Sequence, residues 1–156
     1  MKRITLVLGI LVIVVGAASA QELKPLRVNL TTVGISYAGS GLDIEYVFPV
    51  GDMSLGAGID LLYYSEVNPW TFGGKIRLYP FSPLGDKFFG SIIVAYHTAG
   101  RMEAFMSVGS VLGWRWILFD YVNLSIGAGA DYNFASFSSD EQNLIPRLDL
   151  ALGIAF

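Results

Sequence analysis

Cysteine is absent from the 156 residues, and histidine occurs once, as His97. Without thiols the chain has neither disulfide staples nor thiolate metal ligands. One imidazole leaves a transition-metal site short of ligands, so no cofactor is expected. Charge is scarce too, at 15% of residues against 53% apolar. Once Lys2 and Arg3 are set aside, eight basic side chains stand against thirteen acidic ones, a net charge of −5. That balance, with no basic stripe to neutralise phosphates, argues against nucleic acid as a partner. Beyond residue 20 no apolar run approaches the roughly 20 residues that a spanning helix needs. The apolar majority is dispersed along the chain, not gathered into blocks.

Lys2 and Arg3 belong apart because they head a leader. An apolar run from Ile4 to Gly16 leads to Ala18-Ser19-Ala20, an A-x-A-type cleavage site before Gln21. This is the layout of a signal peptide, residues 1–20, expected to be removed on export. As an uncleaved anchor the run is short. No cysteine succeeds the small residues, so no lipid anchor is expected. Residues 21–156 make one exported domain.

What that domain has in quantity is alternation with period two, the signature of strands. The last nine residues carry it most clearly. Leu148, Leu150, Leu152, Ile154 and Phe156 form one apolar face, and Asp149, Ala151, Gly153 and Ala155 form the other. Six further strands read the same way, separated by turn residues. Their apolar faces are Leu42 to Phe48, Leu55 to Tyr63, Trp70 to Leu78, Phe88 to Tyr96, Met106 to Trp116 and Val122 to Tyr132, every second residue counted. The fifth strand alternates most weakly, since Phe89 and Ile93 fall on its other face. A first strand lies within Arg27 to Tyr37 with ambiguous phase; either a bulge near Thr31-Thr32 reconciles its two halves or its first few residues are periplasmic tail.

Eight strands suit a closed bacterial barrel, and their lengths suit a tilted bilayer crossing. Pro49 to Asp52 and Leu118 to Tyr121 read as tight turns, with Ser82 to Asp86 a longer one. Asn133 to Ile145 is the longest link, polar and acidic, where an extracellular loop belongs. Aromatic residues collect at two levels. Tyr37, Tyr63, Trp70, Phe72, Tyr96 and Tyr132 fall at one rim; Phe48, Phe81, Phe88, Trp114, Trp116, Tyr121 and Phe156 fall at the other, as in the girdles of a lipid-facing barrel. The fold expected is therefore all-β: an eight-stranded antiparallel up-and-down transmembrane β-barrel with a filled polar lumen.

The inward positions then hold five acids (Asp43, Glu45, Asp60, Asp131, Asp149) and four bases (Lys75, Arg77, Arg115, Arg147). Charges inside a wall of low dielectric must be paired or hydrated. Symmetric hairpins put Asp131 opposite Arg147 and Asp60 opposite Lys75. Inward glycines at 56, 58, 73, 109, 113, 127 and 129 leave room for long basic stems. Near-equal numbers of the two signs argue against an ion-selective pore, and eight strands leave an interior that side chains fill.

No catalytic, cofactor or metal site is expected. His97 faces inward near the outer rim without a Gly-x-Ser-x-Gly pattern or a lipid-facing nucleophile beside it. Asp140-Glu141 with Ser138-Ser139 fall short of a calcium coordination set. Gly56-Ala57-Gly58 and Gly127-Ala128-Gly129 sit mid-strand with no helix after them, so they are not phosphate loops.

Together these features resemble the small outer-membrane β-barrel proteins of the OmpA/OmpX type. The resemblance rests on architecture and on the Leu148–Phe156 ending, which is similar to the C-terminal strand by which such proteins are recognised for assembly. It departs from the large OmpA-like members in showing no peptidoglycan-binding domain after Phe156, and from OmpX-like members in its short outer links. It implies a monomer in the bacterial outer membrane, with outer-membrane lipid and the barrel assembly machinery as partners. It also implies a non-enzymatic role in envelope integrity or surface interaction, with the Asn133–Ile145 loop most exposed. The alternatives are a narrow, porin-like channel for small solutes and a lipid-modifying enzyme using His97. A soluble periplasmic barrel that binds lipid would place its apolar face inside, the reverse of this pattern.

Overall fold

The computed structural model describes residues 24–33, 39–64, 70–100, 103–136 and 144–156. The expected leader lies outside them, as do Ile35, Tyr37 and the Ser138 to Glu141 segment. Eight strands run in order: β1 (Leu26–Val33), β2 (Gly39–Val50), β3 (Met53–Tyr64), β4 (Trp70–Tyr79), β5 (Lys87–His97), β6 (Phe105–Leu118), β7 (Val122–Ser136) and β8 (Leu144–Ala155). Each pairs antiparallel with its neighbour in sequence, and β1 pairs with β8 to close a barrel. Closure leaves no sheet edge with unpaired backbone groups. Among the described residues there is no helix.

The pleat explains the wall. Along β4, Trp70, Phe72, Ile76 and Leu78 point out and are exposed, while Thr71, Lys75, Arg77 and Tyr79 point in and are buried. The same division runs around the barrel. Among the described strand residues the one exposed charged side chain is Lys87, at the very start of β5.

One end of the barrel, the turn end, carries Leu26, Phe156 and the tight connections; the other is the loop end. Val50 and Met53 flank a two-residue turn in which Gly51 takes φ 62°. Between β6 and β7, Phe119 and Asp120 take φ 54° and 63°, and the Tyr121 N–H donates to the Leu118 carbonyl at 3.2 Å. Two successive left-handed residues match the right-handed twist of the flanking strands. Exposed Phe48, Phe81, Trp114, Trp116 and Tyr121 ring the turn end; exposed Tyr63, Trp70, Phe72 and Tyr96 ring the loop end.

Three expectations need correction. No bulge interrupts β1, whose register against both β2 and β8 is continuous. At Val33 the parity change that suggested one arises because an apolar residue is packed inside, in line with Arg27, Asn29 and Thr31. The irregularity falls instead between Met106 and Ser107, which face Ala135 and Asn133 respectively. The link expected at Asn133 to Ile145 is shorter, because β7 continues to Ser136 and β8 begins at Leu144. Finally, the lumen is not uniformly polar. Val47, Tyr79, Phe89, Ile93 and Val111 cluster within it, which is why β5 alternates so weakly.

Candidate functional site

Glu45 is the centre of the turn-end half of the lumen. It is fully buried on β2 and its Oε2 accepts from Arg77 Nη1 at 2.9 Å and Arg115 Nη1 at 2.8 Å. Its Oε1 accepts from the Tyr79 hydroxyl at 2.8 Å, and that hydroxyl in turn accepts from Arg115 Nη1. The Arg77 guanidinium lies over the Phe89 ring, 4.4 Å from its centroid. Such a cation–π contact favours a planar, weakly hydrated cation.

Glycines explain how β2 and β4 meet across β3. Neighbouring strands stand about 4.8 Å apart, so the two flanking strands are separated by roughly twice that. Gly56 pairs with Val47 on one side and Arg77 on the other, and Gly58 pairs with Glu45 and Lys75. A Cβ on Gly56 would overlap the Glu45 carboxylate, and one on Gly58 would lie 3.0 Å from Lys75 Cε. Gly56→Ala should therefore displace Glu45 and cost about 1–3 kcal/mol, the range for overpacking a filled interior. Urea titration of the folded barrel measures this. The other glycines serve different neighbours than expected: Gly109 clears Asp131, while Gly113 and Gly127 clear Phe89 and Val111.

Lys75 bridges two acids in the middle of the lumen, Asp43 at 2.5 Å and Asp60 at 2.9 Å. Asp43 and Asp60 face each other across β2 and β3, so the ammonium separates like charges. Asn29 Nδ2 donates to Asp43 Oδ2 at 3.2 Å. Toward the loop end, Arg147 holds Asp149 at 2.7 Å and Asp131 at 3.3 Å. The expected partners thus meet, but diagonally: Lys75 is registered with Gly58, and Arg147 with Gly129.

His97 sits between two hydroxyls, with Nδ1 2.7 Å from Thr71 Oγ1 and Nε2 2.9 Å from Ser107 Oγ. Its ring stacks on Phe105 at 4.1 Å. A hydroxyl at Nδ1 carries no charge to stabilise an imidazolium, unlike the carboxylate of a hydrolytic triad. The arrangement ties β4, β5 and β6 together.

Arg27, Asn29, Tyr79 and Asn123 complete the lumen, although sequence reasoning did not single them out as part of the network. Arg27 reaches over the turn-end mouth. Its Nη1 donates to the Gly85 carbonyl at 2.6 Å, and its Nη2 donates to that of Leu84. Ser54 Oγ donates to the Ser82 carbonyl at 2.8 Å, and buried Ser82 accepts the Leu84 and Asp86 N–H groups on its own hydroxyl. These bonds draw the Ser82 to Asp86 segment over the mouth, with Gly85 buried against Val47 and Arg27. The available clue was parity: Arg27 and Asn29 share a face with Thr31.

The apolar positions of the last strand lie on the outer wall. Leu150 and Leu152 are exposed; Leu148, Ile154 and Phe156 are half-buried. Phe156 also fastens the seam, its N–H donating to the Leu26 carbonyl at 2.8 Å. The chain matches no protein-family model, no curated protein and no solved structure.

Proposed function

We propose that the chain is a bacterial outer-membrane β-barrel, up-and-down in topology and plugged by its own side chains, with a structural or surface-interaction role in the envelope. The inverted wall carries this reading. Ile59, Ile76, Ile92 and Leu112, in the middle of four strands, are each 60–62% exposed, while the ionic groups are inside. A soluble barrel does the reverse, since water favours charged exteriors and a monomer rarely exposes a large continuous apolar patch. Lipid favours this arrangement, with an apolar band between aromatic rims and polar groups turned inward. The bound turn-end segment and the mutually paired lumen charges support a plug over a channel. The outer leucines of β8 and Phe156 support recognition by the assembly machinery, and the closed wall supports a monomer.

The test is gel mobility of the urea-washed outer-membrane fraction, boiled against unboiled. A folded barrel in cold detergent is expected to migrate differently and to shift on boiling. Release by the urea wash with no shift would send the reading back to a soluble barrel.

A further inference from the structure

The lumen charges are balanced in number but not in place. Among the described strand residues, counting Arg27, five cations and five acids line the interior. The turn-end half holds three of the cations, Arg27, Arg77 and Arg115, around the carboxylate of Glu45, which is the one fully buried acid there among the described residues. Lys75 and Arg147 share the remaining four acids. Arg27, Arg77 and Arg115 all lie within electrostatic reach of one another and of Glu45. Glu45, with Asp43 also within electrostatic reach of Arg77 but shared with Lys75, does not neutralise three buried guanidiniums, and uncompensated buried charge costs several kcal/mol per ion.

Hydrogen bonding points to the same place. Arg115 Nε and Nη2, Arg27 Nε and Arg77 Nε are buried donors to which no acceptor is offered among the described residues. Asn123, fully buried on β7, has neither amide atom bonded to any of the described residues. Asn123 is registered with Ile117, and Arg115 with Ser125, so the two side chains are diagonal neighbours on the inner wall. Diagonal pairs of long side chains are close enough to share one ligand. Nearly all buried polar groups in proteins have partners, so this concentration of free donors calls for an acceptor.

We propose that the turn-end lumen binds one small inorganic anion of the halide class, held by Arg115 Nη2 and Asn123 Nδ2 and neutralised by the surrounding guanidiniums. Its charge supplies the acceptor and the counter-ion together, whereas water supplies only the acceptor. The Arg27 bridge to Gly85 and Leu84 lies over it and retains it. The site belongs to the interior and holds whatever surrounds the barrel, so its test is independent of membrane insertion.

The test compares urea unfolding of the purified, folded barrel in sodium chloride and in sodium gluconate at equal ionic strength, with bromide-soaked crystals to locate the ion. The expected result is a midpoint that rises saturably with chloride, as for any ligand bound by the folded state alone. An anomalous bromide peak should lie beside Arg115 and Asn123. Asn123→Leu, which removes the amide and keeps every charge, should weaken the chloride response at least tenfold. Equal midpoints in the two salts, density for water only, a bromide peak elsewhere, or an unchanged response in Asn123→Leu would each overturn the proposal. The first two measurements need no variant, so poor folding of Asn123→Leu leaves the test decisive.

Discussion

Glu45→Gln should lower the stability of the folded barrel by about 3–5 kcal/mol, the range for removing one partner of a buried charge cluster. The substitution is nearly isosteric, so packing is preserved and the loss is electrostatic. Arg77 and Arg115 both place Nη1 on Glu45 Oε2, and a neutral amide leaves those two cations facing each other. The control is Glu45→Gln with Arg77→Met, which removes one excess cation and should recover part of the loss. Urea titration, scored by the fraction of slow-migrating folded band, measures both variants. If the single variant fails to fold at all, the comparison becomes folded yield, and the double variant should give more. Equal stability of the two variants would show that the pairing around Glu45 carries little of the energy.

A charge placed on the outer wall should act in the opposite compartment. Leu112 is 62% exposed at the middle of β6, so in water Leu112→Arg would fall within about 0.5 kcal/mol of the parent protein. At the midplane of a bilayer the same change should cost about 2–4 kcal/mol. Folding into phospholipid vesicles, followed by urea titration, distinguishes the two. The same change at exposed Leu118, where β6 ends on the turn-end rim, should be close to neutral in either medium, since depth sets the penalty. A neutral Leu112→Arg in vesicles would remove lipid from the account of the outer wall.

The division into two faces was legible because period-two alternation writes a strand's orientation directly into its sequence. Leu55 to Tyr63 and Trp70 to Leu78 needed nothing more. The phase of β1 was harder, because Val33 turns an apolar side chain inward, and a lumen that contains Phe89 and Ile93 accepts it. An outward-apolar rule has no means of anticipating an apolar patch inside. Pairs between adjacent strands, such as Asp60 with Lys75, were within reach of hairpin counting. The Glu45 cluster was not, since it joins β2 to β4 and β6 across the closed interior. Arg115 meets Glu45 only because the sheet curls back on itself. Arg27 was missed for a related reason: its partners are carbonyls 57 and 58 residues away, and backbone acceptors leave no trace in residue type.

The seam between β1 and β8 has a consequence for how the barrel forms and fails. Every other ladder joins strands that are consecutive in the chain, whereas this one aligns Arg27 with Ala155 and Val33 with Asp149. Contacts so remote in sequence carry the largest chain-closure entropy and form late. The cylinder is thus completed by its most sequence-remote ladder, and unfolding is expected to begin where that ladder parts. Arg27 sits beside the seam and grips the opposite wall, a latch across the last joint to close. Strengthening β1 would lengthen the lifetime of the closed state without altering the rate at which the hairpins first assemble, because contacts made after the rate-limiting step slow unfolding alone.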